Sequence, residues 1–506
     1  MSNLSYSRRL NARFAEFGRL RLNLILATDV YKLSHMFAYP INVIGMFAYQ
    51  EARTKHDIIV PFGMQMLLAK TLANPITVED IDEAEEFCKR TNALFSREPW
   101  EHIIKEYGGY LPVTIKTVRE GTPVPSGNAI VTVECTDRKV FWLASYIETF
   151  LLRGIWYTTT IASQGRLIKQ ELANLYRISG GNMDLLAFAL NDFGARGVTC
   201  AEQAEAGGAA HMVNFCGSDT IEGIRAAGAY YNDDNPSIIA VSATEHSIEC
   251  SYGLDEEGED EYLENVLTRI ARPGSLVSIV IDGKDVKRCA RRLCTKFKDL
   301  IIASGCKVVF RPDSGDMMEI VPWILNLQAE SFGYDINELG YKRIRYVGCI
   351  QGDGIDILTS RSLIGKVVAL GYVADSVVLG SGGGLLQKVN RDTFKFAQKA
   401  SAILVEAADG VYGAGSSSLP TDRDTTQFAV KTKWVGIAKD PVTDPGKKSK
   451  MGRLGLAKSR LTGEFITYDI DKGLDSEFDD QLVLVYENGV LYNETTLAEV
   501  RARAAL

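Results

Sequence analysis

Seven short apolar runs between Leu185 and Gly384 each break into a polar, mostly Gly- or Asp-bearing turn. They read LLAFAL–NDFGAR, MVNF–CGSD, IIAV–SATEHS, LVSIVI–DGKD, VVF–RPDSGD, YVGCI–QGDG and VVLG–SGGG. Successive turns lie roughly 25 to 40 residues apart, room each time for a strand, a turn and a covering helix. Strand, helix, strand is the rhythm of parallel βαβ units. The expected fold is therefore α/β, with a β/α barrel-like domain over 181–391 whose strand tips converge on one mouth.

Two stretches carry a clear helical period. Val286, Cys289, Ala290, Leu293, Cys294, Phe297 and Ile301 recur at spacings of three and four and predict one buried face. Ile168, Leu172, Leu175 and Tyr176 mark a second amphipathic helix, ended by Gly180–Gly181. An acidic helix is expected from Asp80 to Phe95. Outside the barrel-like part the rhythm changes. YLPVTIKTV (110–118), NAIVTVEC (128–135), KWVGIA (433–438) and QLVLVYENGVL (481–491) read as strands, the last with an Asn-Gly hairpin turn. The segments 24–180 and 392–506 are expected to build a second, α+β domain together. Residues 1–23 form an N-terminal extension, and the Gly/Ser/Thr/Asp-rich stretch within 409–430 reads as an inserted surface loop.

Composition narrows the classes. A chain of 506 residues can bury a large core. Its net charge of −8 argues against a general nucleic-acid binder, which needs a broad basic surface. Nine cysteines without a CxxC pair support neither a disulfide framework nor a zinc site, and suit a reducing, cytoplasmic location. No run approaches the roughly 20 apolar residues of a membrane span. The arginines at 8, 9, 13, 19 and 21 precede no apolar signal core, so they read as a solvated helix or, less readily, a targeting segment.

The chemistry sits in the turns. SGGGLLQKVNRD (381–392) follows an apolar strand and is expected to open a helix. Its glycines let backbone N–H groups approach an anion, with Lys388 and Arg391 close behind, although a Gly run can equally be a plain tight turn. Asp313 and Asp353 end neighbouring runs. They suit ribose hydroxyls or a water-bridged Mg²⁺ ion, or else cap the next helices. His246 ends another run, and Asp282, at the end of the next, is a plausible holder for its imidazole. Such a histidine is either a nucleophile or base, or structural. Phe193 beside Arg196 suits a flat heterocycle attached to a phosphate, or the ring is simply core. KDPVTDPGKKSKMGR (439–453) gathers Lys439, Lys447, Lys448, Lys450 and Arg453, for a polyphosphate or as a solvated face.

Taken together, ATDVYKLSH (27–35), VPFGMQ (60–65), NDFGARG (191–197), VNFCGSDT (213–220), ATEHS (243–247), RPDSGD, IQGDG, GSGGGLLQK and KDPVTDPGKKSK resemble the nicotinamide phosphoribosyltransferase family, from about Leu24 to the C-terminus. The resemblance implies a barrel joined to an α+β domain and a homodimer with shared active sites. It also implies displacement of pyrophosphate from phosphoribosyl pyrophosphate by the pyridine nitrogen of nicotinamide. Nicotinamide would stack on Phe193 and on Tyr31 of the other subunit, with Asp219 accepting the amide N–H and Arg311 orienting the ring. Arg196, Gly382, Gly383, Arg391 and Lys399 would hold the 5′-phosphate. Asp313, Gly352 and Asp353 would contact ribose, and Arg53, Lys439 and Lys447 the pyrophosphate. Mg²⁺ and ATP enter the same way, ATP as a co-substrate that phosphorylates His246. No metal ligands are assigned.

Three positions depart from the family pattern: Ala397 and Ala240 stand where serines are expected, and Asn191 where a histidine is. Three alternatives stand beside the main reading. One is the same reaction on nicotinate. Another is a non-catalytic nucleotide-binding regulatory protein. The third is an unrelated phosphate-handling barrel such as an aldolase or isomerase, with no need of the C-terminal lysines.

Overall fold

The computed structural model describes residues 22–233, 241–407, 431–444 and 447–505. The Arg-rich terminus, Ala240 and the 409–430 stretch lie outside them. Two seven-stranded sheets organise the rest. The first is parallel, in the order Gly217–Ser218, Leu190–Asp192, Val377–Ser381, Val347–Gln351, Lys307–Arg311, Leu276–Val280, Ser242–Ala243. Five of the expected turns follow strands of this sheet, whereas Gly217–Ser218 and Ser242–Ala243 lie inside the expected turns CGSD and SATEHS, and residues 238–240 of the IIAV run lie outside the described residues. The sheet is a half-barrel: among the described residues no pairing joins its two edge strands.

Alternation explains how this sheet packs. Val277, Ile279, Val308, Phe310, Val347, Cys349, Val377 and Leu379 point outward and are buried with the apolar faces of Val286–Cys294, Met317–Phe332 and Ile357–Ala369 in one core. Each such side chain contributes about 1.5–3 kcal/mol when fully buried. The inward positions between them line an open cavity instead.

Local details differ from the sequence pattern. Most of LLAFAL is a 3₁₀ turn, Met183–Phe188, leaving a three-residue strand. MVNF follows the Ala201–His211 helix as a buried turn, because Phe215 packs into the core while its backbone never pairs. The expected helix over 286–301 breaks at Thr295 into Val286–Cys294 and Lys298–Ser304 on the same buried side.

The second sheet is antiparallel and combines both ends of the chain. Its order is Lys431–Gly436, Ala397–Ala407, Val43–Glu51, Val131–Cys135, Val113–Val118, Leu482–Glu487, Val490–Leu491. Asn488 and Gly489 turn the last hairpin with φ of 47° and 92°, the left-handed pair that a two-residue hairpin requires. The acidic helix spans Val78–Thr91. The 32-residue helix Glu148–Ser179 ties the two sheets together. Its first turns (Phe150, Leu151, Ile155) pack with the antiparallel sheet and its last (Ile168, Leu172, Tyr176) with the parallel one. Gly180, at φ 65°, ends it as expected.

Candidate active site

The tips of the parallel strands carry most of the residues singled out from the turns. Phe193 follows the Leu190–Asp192 strand, its N–H donating to the Ser381 carbonyl at 2.9 Å. Its ring lies against Gly380, where a Cβ would come within 2.2 Å of the ring. Only glycine leaves that slot open. The Arg311 guanidinium sits 5.7 Å from the ring centroid on the neighbouring tip, in cation–π range. Asp219 is anchored by its N–H to the Asp192 carbonyl at 2.9 Å. Burial raises its pKa, and the charges of Arg311 and Arg196 oppose that shift. A ring slot, a carboxylate and a guanidinium thus share one mouth.

Asp313 and Asp353 do not cap the following helices. Asp316 accepts from Met318 N–H at 2.8 Å, and Asp356 accepts from Leu358 and Thr359 N–H at 3.0 and 2.9 Å. Of the two earlier carboxylates, Asp313 is left beside Arg311 at the mouth. Asp313 lies 3.5 Å from Arg311, and its Oδ1 is 3.2 Å from where a Gly352 Cβ would stand. A loose, part-exposed pair of this kind is worth about 0–1 kcal/mol. It orients Arg311 more than it stabilises the fold.

His246 opens the helix His246–Ser251 just past a strand tip. The preceding turn is clamped by Thr244, whose hydroxyl accepts the Val280 N–H at 2.9 Å and contacts Tyr262 Oη at 2.7 Å. Nε2 of His246 lies 3.1 Å from Oδ1 of Asp282, which is 2% exposed against 45% for the imidazole. With Nε2–H donated to the carboxylate, Nδ1 keeps its lone pair. Asp282 Oδ2 is buried without a partner.

One turn along the helix, the buried Glu249 accepts the Gly283 N–H at 2.9 Å. Burial, reinforced by Asp282, raises its pKa from 4.5 to about 7. Between those values the folded chain holds a proton that the unfolded chain has lost. The associated stability is complete below about 4.5 and is lost as pH rises through about 7. Glu249→Gln keeps the acceptor and removes the titration. Its Tm should therefore gain on the wild type between about pH 5 and pH 8 in thermal denaturation, and parallel curves would refute the assignment.

The Gly run follows the Val377–Ser381 strand, but the helix it opens is only Gly383–Leu386. Gly384 has a packing duty, since a Cβ would meet the Ile355 carbonyl at 2.2 Å. Gly382 and Gly383 face less crowded space. Arg196 lies in the 3₁₀ turn Ala195–Gly197, and its charge opposes the upward shift of the Asp219 pKa. Arg391 is exposed and paired with Asp392 at 3.1 Å.

The remaining predicted residues gather elsewhere. Arg53 is held by Glu51 at 2.8 Å. Lys399 has its pKa lowered by burial, a shift opposed by Glu148 and reinforced by Arg53, Lys32 and Lys439. Lys447 pairs with Asp444 at 3.0 Å, and Tyr31 is 60% exposed against His35. Among the described residues none of Tyr31, Arg53, Lys399, Lys439 and Lys447 is hydrogen-bonded or ion-paired to a mouth residue of the same chain.

Comparison with known proteins gives this arrangement a lineage. Residues 188–409 match the family model described as the nicotinate phosphoribosyltransferase (NAPRTase) family, and residues 23–115 match "nicotinamide phosphoribosyltransferase, N-terminal domain". A nicotinamide phosphoribosyltransferase of Xanthomonas campestris pv. campestris is 41% identical over 95% of this chain and 98% of its own length. The chain belongs to the nicotinamide phosphoribosyltransferase family. It is accordingly a pentosyltransferase. A family member from Acinetobacter baylyi is 30% identical over 96% of this chain and 97% of its own length. The fold is shared more widely. The nicotinate-nucleotide pyrophosphorylase structure from Pyrococcus furiosus superposes with a TM-score of 0.57 at 15% identity, covering 96% of this chain and 97% of that one. Human nicotinic acid phosphoribosyltransferase gives 0.53 at 15%, covering 94% and 93%.

Within this family member, some site residues carry no sequence signal. Asp192 is fully buried and accepts the Gly194 N–H at 2.8 Å, holding the loop that presents Phe193. Ser278, in the middle of the Leu276–Val280 strand, turns a buried, unpartnered hydroxyl into the cavity below Arg311. Asn191 donates to the Leu379 carbonyl at 3.2 Å, so the side chain standing where the resemblance leads one to expect a histidine braces the Leu190–Asp192 strand against Val377–Ser381.

Proposed function

We propose that the protein transfers the phosphoribosyl group of phosphoribosyl pyrophosphate to nicotinamide, forming nicotinamide mononucleotide and pyrophosphate for NAD biosynthesis. The observation that carries this reading is Asp219 placed beside Arg311 and the Phe193 slot. An amide donates to the carboxylate and accepts from the guanidinium, whereas the carboxylate of nicotinate is repelled by Asp219. The pyridine nitrogen attacks the anomeric carbon as the bond to pyrophosphate breaks. Positive charge builds on the ribose and is tolerated by Asp313 and Asp353, while negative charge builds on the leaving group.

The cations Arg53, Lys399, Lys439 and Lys447 are the natural receivers of that charge. Their separation from the mouth within one chain supports a homodimer in which each site borrows them, and Tyr31, from the partner. Val30, Tyr31, Phe37 and Ile41, exposed by 52, 60, 54 and 85%, supply an apolar surface for such a contact. Mg²⁺ fits the donor set only together with substrate. Among the described residues no group of three or more His, Cys, Asp or Glu could hold a metal by itself. The ion would ride on pyrophosphate oxygens, with Asp313 and Asp353 reaching it through water. When bound, it spreads the leaving-group charge. Nine unpaired cysteines, seven of them buried, support a cytoplasmic enzyme. Among the described residues no helix is long and apolar enough to cross a membrane.

ATP is read as a second substrate. Nδ1 of His246 attacks the γ-phosphorus, the bond to the ADP oxygen breaks, and Asp282 carries the charge that develops on the imidazole. The test is nucleotide formation from nicotinamide or nicotinate, with and without ATP, in the wild type and in His246→Ala. The expected results are nicotinamide mononucleotide as the main product, an ATP-dependent gain confined to the wild type, and an acid-labile phosphate absent from the variant. A dominant nicotinate product would overturn the substrate assignment, and equal labelling of both proteins would overturn the histidine's role.

A further inference from the structure

Asp192 carries a buried charge that its place in the fold does not require. In the Leu190–Asp192 strand the neighbouring Asn191 lines the cavity. Alternation turns Asp192 to the opposite face, where it is fully buried. Its Oδ1 accepts the Gly194 N–H at 2.8 Å, and its Oδ2 accepts the Ser218 hydroxyl at 3.4 Å. Both donors are neutral. An asparagine would offer the same acceptor to Gly194 and an amide N–H to the Ser218 oxygen, without the desolvation cost of an ionised group.

No neighbour cancels that charge. Among the described residues no cation is ion-paired with Asp192. The titratable groups facing it behind the strand are His211 and Tyr157. Burial lowers the pKa of His211, with Asp192 opposing, so the imidazole is neutral near neutral pH. Its Nε2–H donates to the Gly217 carbonyl at 2.9 Å, and its ring stacks on Phe215 with centroids 5.4 Å apart. Burial raises the pKa of Tyr157, whose hydroxyl donates to the Leu386 carbonyl at 2.9 Å.

The charge is coupled to the mouth instead. The Asp219 N–H donates to the Asp192 carbonyl at 2.9 Å, and the Ser218 hydroxyl held by Asp192 accepts the Thr220 N–H at 3.1 Å. Phe193 follows Asp192 directly, so one residue joins the ring slot to the turn that carries Asp219. Desolvation raises the pKa of Asp219; Arg311 and Arg196 oppose that shift, and Asp192 reinforces it. The other charge beside them is Asp313, 3.5 Å from Arg311. A buried charge acts through a low dielectric and is screened little by salt.

We propose that Asp192 is a specificity-determining residue, its buried carboxylate standing behind Asp219 and adding to the repulsion of acids at the mouth. This rests on the selection of the amide over the acid proposed above. The bonds to Gly194 and Ser218 position the two loops, and the charge selects the base.

The test uses the full-length protein and the ratio of kcat/KM for nicotinamide over nicotinate, measured across pH. Asp192→Asn should lower that ratio about tenfold near neutral pH, by removing one of two like charges facing the acid. It should also move the acid-side loss of discrimination to lower pH, because Asp192 no longer raises the pKa of Asp219. Asp192→Ser, which keeps an acceptor for the Gly194 N–H, replaces the asparagine variant if that protein does not fold. A residue that only positions the loops would lower kcat/KM for both bases in proportion and leave the pH dependence in place. That result, or a wild-type ratio, overturns the proposal. The change in ratio is readable whichever base the wild type prefers. A nicotinate-preferring wild type would thus overturn the substrate reading, whereas an unmoved ratio in Asp192→Asn overturns the role of Asp192.

Discussion

Replacing Asp219 with serine is expected to lower the preference for nicotinamide over nicotinate by about 100-fold, measured as the ratio of kcat/KM values. That factor is about 2.7 kcal/mol. It is modest for removing a like-charge contact in a desolvated site, where juxtaposed like charges cost several kcal/mol. Two effects act together. The amide loses its acceptor, which lowers kcat/KM for nicotinamide. The acid loses its repulsion and finds Arg311, 5.7 Å from the Phe193 ring and only loosely paired with Asp313, as a cation for its carboxylate. Serine restores part of the amide contact, so nicotinamide should suffer less than nicotinate gains. Burial already raises the pKa of Asp219, which gives a second readout in the unmodified enzyme. As pH falls the carboxylate takes up a proton and stops repelling acids, so discrimination should weaken on the acid side and not on the alkaline side. An unchanged ratio in the serine variant would remove Asp219 from the selection of substrate.

How much of this was legible beforehand depends on whether the information is local. Five strand tips could be located because each apolar run stops at a turn, and the parallel sheet's two edge strands, Gly217–Ser218 and Ser242–Ala243, fall inside the expected turns themselves. The helix caps were legible too, though the signal is finer than an aspartate at a strand end. In RPDSGDMM and QGDGIDIL the capping aspartate is the second one, directly before the apolar helix, and it releases the first for the mouth. The first half of Glu148–Ser179 escaped detection because its middle (Tyr157, Ile161, Ala162) packs into a third core between the two sheets. A helix buried on several sides has no single apolar stripe to detect. Ser278 was invisible for a different reason. It looks like an ordinary strand residue until the sheet's curvature decides that its face lines a cavity. Lys439 stands out in the sequence as part of a basic run, whereas Arg53 and Lys399 rest on resemblance alone; in the proposed homodimer a partner subunit would bring them to the mouth.

The slot for the Phe193 ring leads to the second large effect. Gly380 needs no unusual φ; what it supplies is absence. A methyl group there would lie 2.2 Å and 2.5 Å from two ring carbons, and the ring would have to leave its place. Its retreat is limited by the loop, since the Phe193 N–H is tied to the Ser381 carbonyl at 2.9 Å. The available movement is outward, toward Arg311 and the space the pyridine would occupy. Overpacking of this kind costs about 1–3 kcal/mol of stability. Misplacing a positioning group by about 1 Å costs on the order of 100-fold in rate. Gly380→Ala should therefore fold with a lowered Tm and lose about 100-fold in kcat/KM for nicotinamide. Adding Phe193→Leu, a smaller and more adaptable side chain, should recover much of the lost stability without restoring the activity, because the stacking surface is gone. A Gly380→Ala enzyme with normal kinetics would mean that the ring can move freely, and Phe193 could not then be the platform on which the base is held.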